Sequence, residues 1–255
     1  MKRKVYLFEN ITSTNDFCKN IAKVGATEGT VVVADMQTMG KGRMGRSFIS
    51  PKGTGLYLSI VLRPKFDKIF LPLITTAAAV AAARAIEHVS PRKAFIKWVN
   101  DIYVDNKKVA GILAESSFSD TDENLNYTIL GIGINILPPK NGFNESIKDI
   151  AGSVYKKFAP EGTRDRLLNE FLNEFEALYE KLPEKDFIIE YRERSFLIGK
   201  NITFIKNEEE ISALVLDVDE SGSLVVKKED AEILTLSTGE VNIKKDENFY
   251  KAINE

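Results

Sequence analysis

Secondary-structure signals change character near Gly199: helical and strand patterns alternate before it, and only short strand patterns follow it. A chain with that order of signals builds a mixed α+β body first and an all-β unit second, because each apolar pattern must bury its own face. The expected division is a larger domain over residues 1–196 and a small β domain over 197–255. The chain's 255 residues are 44% hydrophobic, enough apolar material for a substantial core.

Within the first part, residues 5–8 read as a strand. Ser13 then caps a helix that sets Phe17, Ile21 and Val24 on one face and stops at Gly25. Residues 30–36 are a β-branched strand. Residues 56–62 alternate, with Leu56, Leu58, Ile60 and Leu62 facing one way, until Pro64 ends the run. The Ala-rich stretch 70–86 is too short and too polar for a good membrane span and predicts a buried helix. Strands are expected at 95–98, 102–104, 109–116 and 127–136, and helices at 163–181 and 186–195. Residues 201–243 hold about five short strands around a Ser221-Gly222 turn, the pattern of a small barrel.

A single cysteine, Cys18, excludes an intrachain disulfide and a cysteine-rich zinc site, and a single histidine, His88, leaves no His-based metal cluster. Chemistry must therefore rest on Lys, Arg, Asp, Glu, Asn or the backbone. Net charge is −2, no footprint for generic nucleic-acid binding. The balance is uneven: residues 196–255 carry 7 basic and 13 acidic side chains, whereas the first 195 carry 28 and 24, mildly suited to an anionic ligand. No signal peptide or membrane span is visible, and the expected location is the cytoplasm. Cys18 and Trp98 are expected to pack in the interior, and His88 to cap the exposed end of the Ala-rich helix.

Three segments can carry chemistry. In Gly40-Lys41-Gly42-Arg43-Met44-Gly45-Arg46, glycines let backbone approach a ligand while cations aim at it, which suits a phosphate; a solvated basic turn is the alternative. In Gly131-Ile132-Gly133-Ile134-Asn135-Ile136, period two sends three isoleucines to one face and Gly131, Gly133 and Asn135 to the other. The bare face admits either a ligand or a tightly packed helix. In 97–116, Asp105-Asn106 is hairpin-turn chemistry. A two-residue turn pairs Tyr103 with Lys108 and sets Asp101, Tyr103, Lys108, Ala110 and Ile112 on one face. Asp101 and Lys108 would then be functional partners or a surface ion pair.

Together these segments resemble the biotin protein ligases. The matching pieces are Ser13-Thr14-Asn15, Gln37, the loop Gly40 to Arg46, KWVNDIY at 97–103, KKVAGILAES at 107–116 and GIGIN at 131–135, in the family's order and spacing over about residues 5–245. Lys41 stands where that loop usually has Arg, Phe48 where an aromatic residue, often Trp, is usual, and Val99 where Pro is common. The resemblance implies a mixed-sheet α+β catalytic domain of the biotin/lipoyl ligase type with a C-terminal SH3-like β-barrel. It also implies a form lacking the family's N-terminal DNA-binding domain, hence no DNA partner, and leaves a homodimer open.

By the same resemblance the substrates are biotin, ATP with Mg²⁺, and a lysine of a biotin carboxyl carrier protein. Lys108, Arg43 and Asp101 would be catalytic. Biotin would be bound by Ser13, Thr14, Asn15, Gln37, Gly40, Lys41, Arg43, Lys108, Gly111, Ile112, Gly131 and Ile132. The adenylate would lie on Arg43, Arg46, Phe48, Asn100, Lys108 and Asn135, and no protein side chain is assigned to the metal. Asp101 would orient the acceptor lysine and accept its proton, or else only pair with Lys108 or fix the ligand by hydrogen bonding. The competing readings are a lipoyl or octanoyl ligase of the same fold and a non-enzymatic RNA-binding module. The latter lacks aromatic stacking residues interleaved in its basic loop.

Overall fold

Residues 3–119, 121 and 124–243 are described by the computed structural model, so the expected extents to 245 and 255, and the first two residues, run outside them. Seven strands form one sheet: β1 (Lys4–Phe8), β2 (Thr30–Ala34), β3 (Gly55–Leu62), β4 (Phe95–Lys97), β5 (Asp101–Val104), β6 (Lys107–Phe118) and β7 (Leu125–Asn135), in the order β1-β2-β3-β7-β6-β5-β4. Only β1 and β2 pair in parallel; helix α1 (Thr14–Lys23) supplies the crossover that parallel neighbours require. The other pairs are antiparallel.

Both sheet faces are covered, but unequally. On one face lie α2 (Leu73–Val89), α3 (Thr163–Glu180) and α4 (Phe187–Arg194). Helix α2 buries twelve of its residues, and the expected row Leu56, Leu58, Ile60 and Leu62 of β3 packs in the same core. Six alanines from Ala77 to Ala83, interrupted only by Val80, let α2 sit deep against its neighbours. On the other face only α1 covers the sheet, and it covers only part of it. Its core holds Cys18, Ala22, Val32, Val61, Tyr127 and Ile129, with Phe17 and Ile21 packed alongside.

Two local expectations are corrected. Val24 is 85% exposed, because α1 ends at Lys23 and Val24 is its C-cap; the buried stripe is Thr14, Asn15, Cys18 and Ala22. In the β5–β6 hairpin, Tyr103 pairs with Lys108 as expected, but Ile102 then pairs with Ala110, leaving Val109 as an extra residue. The bulge reverses the alternation beyond it. Ala110 and Ile112 therefore enter the core with Ile102, and Gly111 takes the face shared by Asp101 and Lys108.

The second sheet is antiparallel, with β8 (Asn201–Lys206), β9 (Glu209–Val218), β10 (Leu224–Lys228), β11 (Ile233–Leu236) and β12 (Val241–Ile243) in the order β11-β10-β9-β8-β12. Its apolar residues, among them Val215, Val218 and Leu224, join the main core. The Ser221-Gly222 turn rests on α2, where Trp98 Nε1 donates to the Gly222 carbonyl at 2.9 Å. No helix among the described residues is long and apolar enough to cross a membrane.

Candidate active site

Strand β7 explains why a cavity forms where it does. Along one face run Tyr127, Ile129, Gly131, Gly133 and Asn135, the first two under α1 and the next two without side chains. The isoleucines Ile132 and Ile134 face the opposite core, as the period-two alternation predicts. Where helix cover ends, a cavity of about 760 Å³ opens on the bare strand face. Every expected site residue lines it except Gly40. Gly40 is buried behind the loop, where a Cβ would stand 2.3 Å from the Phe48 carbonyl; its role is to let the loop fold. Ile112 and Ile132 turn their side chains into the core, so the cavity meets them along their backbone.

The end of the cavity beside α1 is a continuous hydrogen-bond network. Gln37 Oε1 accepts from Thr14 N at 2.8 Å and Thr14 Oγ1 at 3.0 Å, while Gln37 Nε2 donates to Ser50 Oγ at 2.9 Å. Ser59 Oγ lies 2.7 Å from Thr14 Oγ1 and 2.5 Å from Asn15 Oδ1. Asn15 Nδ2 donates to Glu115 Oε2 at 2.8 Å, and Lys19 Nζ pairs with Glu115 Oε1 at 2.6 Å. Asn15 is thus oriented at both ends of its amide. Ser13 Oγ caps α1, accepting from Asp16 N at 3.4 Å, and keeps its own proton for a further partner.

The basic loop folds back on itself, with Gly42 N donating to Arg46 O at 2.7 Å and Phe48 N to Gly40 O at 2.8 Å. Met44 and Gly45 take positive φ to make the turn. Lys41 pairs with Asp16 at 2.5 Å, Arg46 with Glu240 at 2.6 Å, and Arg43 donates to Asn100 Oδ1 at 3.3 Å. The loop thereby brings Phe48 over the floor: a Cβ at Gly133 would stand 2.4 Å from its ring, and one at Gly111 3.5 Å.

The third wall is the β4–β5–β6 hairpin region. Lys108 Nζ stands 2.6 Å from Asp101 Oδ1, a close ion pair whose angles do not make a hydrogen bond. Asn100 spans the strands, its Nδ2 donating to Ile112 O at 2.8 Å. Asn135 Nδ2 donates to Gly152 O at 3.0 Å, fixing the far end of the floor. The turn adopts positive φ at both Asp105 and Asn106, as a two-residue hairpin requires. The Trp98–Val99 peptide is cis.

Five cations and three carboxylates line the cavity of a chain whose net charge is −2, so positive charge is concentrated there. Three of the eight, Lys97, Asp149 and Glu240, were not singled out from the sequence. Lys97 faces Asp101 across β4–β5, a placement the odd-number alternation of Asp101 and Tyr103 signals once β4 is paired. Glu240 arrives from the second sheet, and no local pattern announces it.

This geometry can hold a ligand with a flat polar head beside Thr14 and Gln37, an anionic middle by Lys108 and Arg43, and an aromatic end near Phe48. Residues 7–135 match the family model "Biotin/lipoate A/B protein ligase family", and residues 197–243 match "Biotin protein ligase C terminal domain". The chain belongs to the biotin/lipoate A/B protein ligase family. Among its relatives in that family is the bifunctional ligase/repressor BirA of Bacillus subtilis, 37% identical over 169 residues, 66% of this chain and 51% of that protein. Biotin--[acetyl-CoA-carboxylase] ligase of Mycobacterium tuberculosis is 26% identical over 220 residues, 83% of this chain and 79% of that one. The chain thus spans about half the length of the Bacillus relatives it matches. A solved biotin protein ligase from Aquifex aeolicus in complex with biotin and ATP superposes with a TM-score of 0.78 at 26% identity, over 96% of this chain and all of that one. The mixed α+β fold and the C-terminal β sheet are those of this ligase family.

Proposed function

We propose that this protein is a biotin protein ligase of the cytoplasm that forms biotinyl-5′-AMP and passes the biotinyl group to a lysine of a biotin carboxyl carrier protein. One observation carries the reading: a single cavity joins a bare glycine floor and a hydrogen-bonded polar end to a cluster of cations. Residues 1–196 would form the catalytic domain and 197–255 the small β domain that closes one wall through Glu240.

In the first step a biotin carboxylate oxygen attacks the α-phosphorus of ATP, and the bond to the β-phosphate oxygen breaks to release pyrophosphate. Two anions must meet, so fixed cations carry the catalysis. Lys108 would bridge carboxylate and phosphate, Arg43 would hold the adenylate, and Ser13, Thr14, Asn15 and Gln37 would frame the ureido ring. Gly131 and Gly133 would admit the flat bicycle close to backbone, while Phe48 and Asn135 would border the adenine. Arg46 and Asn100 complete the adenylate side. Mg²⁺ is expected with ATP, held mainly by phosphate oxygens and water, since no cluster of metal-holding side chains is found among the described residues; it would neutralise phosphate charge.

In the second step the carrier amine attacks the acyl carbon, the acyl–oxygen bond breaks, AMP leaves and the amine gives up a proton. A free lysine has a pKa near 10.4, so that proton needs an acceptor close by. Asp101, beside Lys108 on the cavity wall, would orient the amine and accept that proton.

Incubation with labelled biotin, ATP and a carrier domain tests the reading: label should appear on the carrier lysine only when ATP is present. Transfer of lipoate or octanoate in place of biotin would reassign the acyl group. Absence of every acyl transfer would refute the proposal.

A further inference from the structure

Four of the five cations on the cavity wall are engaged by another side chain: Lys41 by Asp16, Arg43 by Asn100, Arg46 by Glu240 and Lys108 by Asp101. Lys97 is the exception. It is half-buried, and among the described residues it has neither a hydrogen bond nor an ion pair. Asp101 stands opposite it in the β4–β5 ladder, but that carboxylate is drawn to Lys108. Burial pushes the Lys97 ammonium below its ordinary pKa; Asp101 and Glu240 oppose this, while Lys108 and Arg46 deepen it. A half-buried cation without a partner is costly, and its place on a cavity wall makes the missing partner a ligand anion.

Position in the sheet says which anion. From the glycine floor on β7 the strands run to Lys108 on β6, Asp101 on β5 and Lys97 on β4. With strands about 4.8 Å apart, Lys97 starts two strands, or about 10 Å, beyond the lysine of the reacting centre. The polar end by Asn15 and the aromatic end by Phe48 and Asn135 lie in other directions, so the remaining cationic path from Lys108 leads across β5 to Lys97 and Arg46. Resting on the function proposed above, we infer that Lys97 binds the β- and γ-phosphates of ATP and holds the pyrophosphate as the bond to the α-phosphorus breaks. Lys97 accepts no atoms or electrons in this role; it neutralises charge on a group that departs before the second step.

The two half-reactions separate this role from a structural one. Lys97→Met should raise the KM for ATP, and that for pyrophosphate in the reverse exchange, by about 10- to 100-fold, the usual loss for one charge-assisted contact. Binding of preformed biotinyl-adenylate and its transfer to the carrier should stay within about 2-fold of wild type, since the adenylate carries neither phosphate. Lys97→Arg, which keeps the charge, should recover part of the ATP affinity and serves if the Met variant does not fold. Tripolyphosphate binding, measured by calorimetry, should weaken in the Met variant whether or not biotin is the acyl substrate. If wild type forms no biotinyl-adenylate, the function fails while this last measurement still judges Lys97. Unchanged affinity for ATP, pyrophosphate and tripolyphosphate would overturn the inference, as would equal losses in both half-reactions.

Discussion

Asn15 stands directly on Gly131: a Cβ built at that glycine would lie 2.0 Å from Asn15 Oδ1. The amide cannot step aside freely, because Ser59 holds its oxygen and Glu115 its nitrogen. Gly131→Ala should therefore strain the polar end of the cavity, weakening biotin binding by about 10-fold or more and lowering stability by about 1–3 kcal/mol, the usual cost of overpacking. Calorimetry and thermal melting read the two effects. Wild-type biotin affinity in this variant would place the ligand elsewhere.

Gly133 faces Phe48 rather than Asn15. Gly133→Ala should displace the ring and weaken ATP and adenylate binding more than it weakens biotin binding, which loses only space at that end of the floor. Comparing the two alanine variants in binding assays maps the two ends of the ligand onto one strand. Identical binding defects would mean that the floor acts as one unit.

Lys108→Ala should slow adenylation by about 10²- to 10³-fold, the loss typical of one positioned electrostatic stabiliser. It also strands the buried Asp101 Oδ1, whose nearest cation is Lys108 at 2.6 Å. Lys108→Arg should keep more stability than Lys108→Ala, though not the rate, because a guanidinium fork differs in shape from an ammonium. Pyrophosphate release is the readout, and a near-normal rate in the Ala variant would remove Lys108 from the chemistry.

Asp101→Asn keeps the shape and removes the charge. If Asp101 orients the acceptor amine, transfer from preformed biotinyl-adenylate should fall much more than adenylate synthesis. Equal losses in the two half-reactions would leave Asp101 as support for Lys108 alone.

Acid should loosen the packing of α2, α3 and α4. Arg84 on α2 bonds Glu174 on α3 and Glu190 on α4, and Arg194 bonds Glu87 and Glu190. Burial alone would raise the pKa of both Glu87 and Glu190, but hydrogen bonds from Arg194 to Glu87 and from Arg84 to Glu190 hold each below its ordinary value. A depressed folded-state pKa gives stability that is complete above the unfolded value, about 4.3 for Glu, and is lost as pH falls through the folded value. The melting temperature of wild type should drop in that window. A Glu190→Gln variant, less stable at neutral pH, should show a shallower drop. Parallel pH profiles for the two proteins would show that the cluster does not govern acid stability.

Much of the site was legible because its signals are local. The alternation in 131–136 set the bare and apolar faces of β7, since side chains in a strand must alternate whatever the rest of the chain does. Asp105-Asn106 closed a two-residue hairpin and put Lys108 opposite Tyr103, because turn geometry is decided within four residues. The Ala-rich run marked α2 as buried for the same reason: its composition is apolar on all sides.

What lay beyond the sequence are relationships between segments that are close only after folding. The extra residue Val109 shifts the register of β6 and moves Ala110 and Ile112 into the core, a choice made by packing against β7 and α2 rather than by the turn. The saturation of Asn15 depends on Ser59 and Glu115, 44 and 100 residues away, and the Arg46–Glu240 contact spans 194 residues. The sequence alone determined which residues could face a ligand, because periodicity and turn chemistry act within a few residues. Tertiary structure decided which of them already have partners and which cation on the cavity wall, Lys97, has none among the described residues, because pairing depends on distances that only the assembled sheets define.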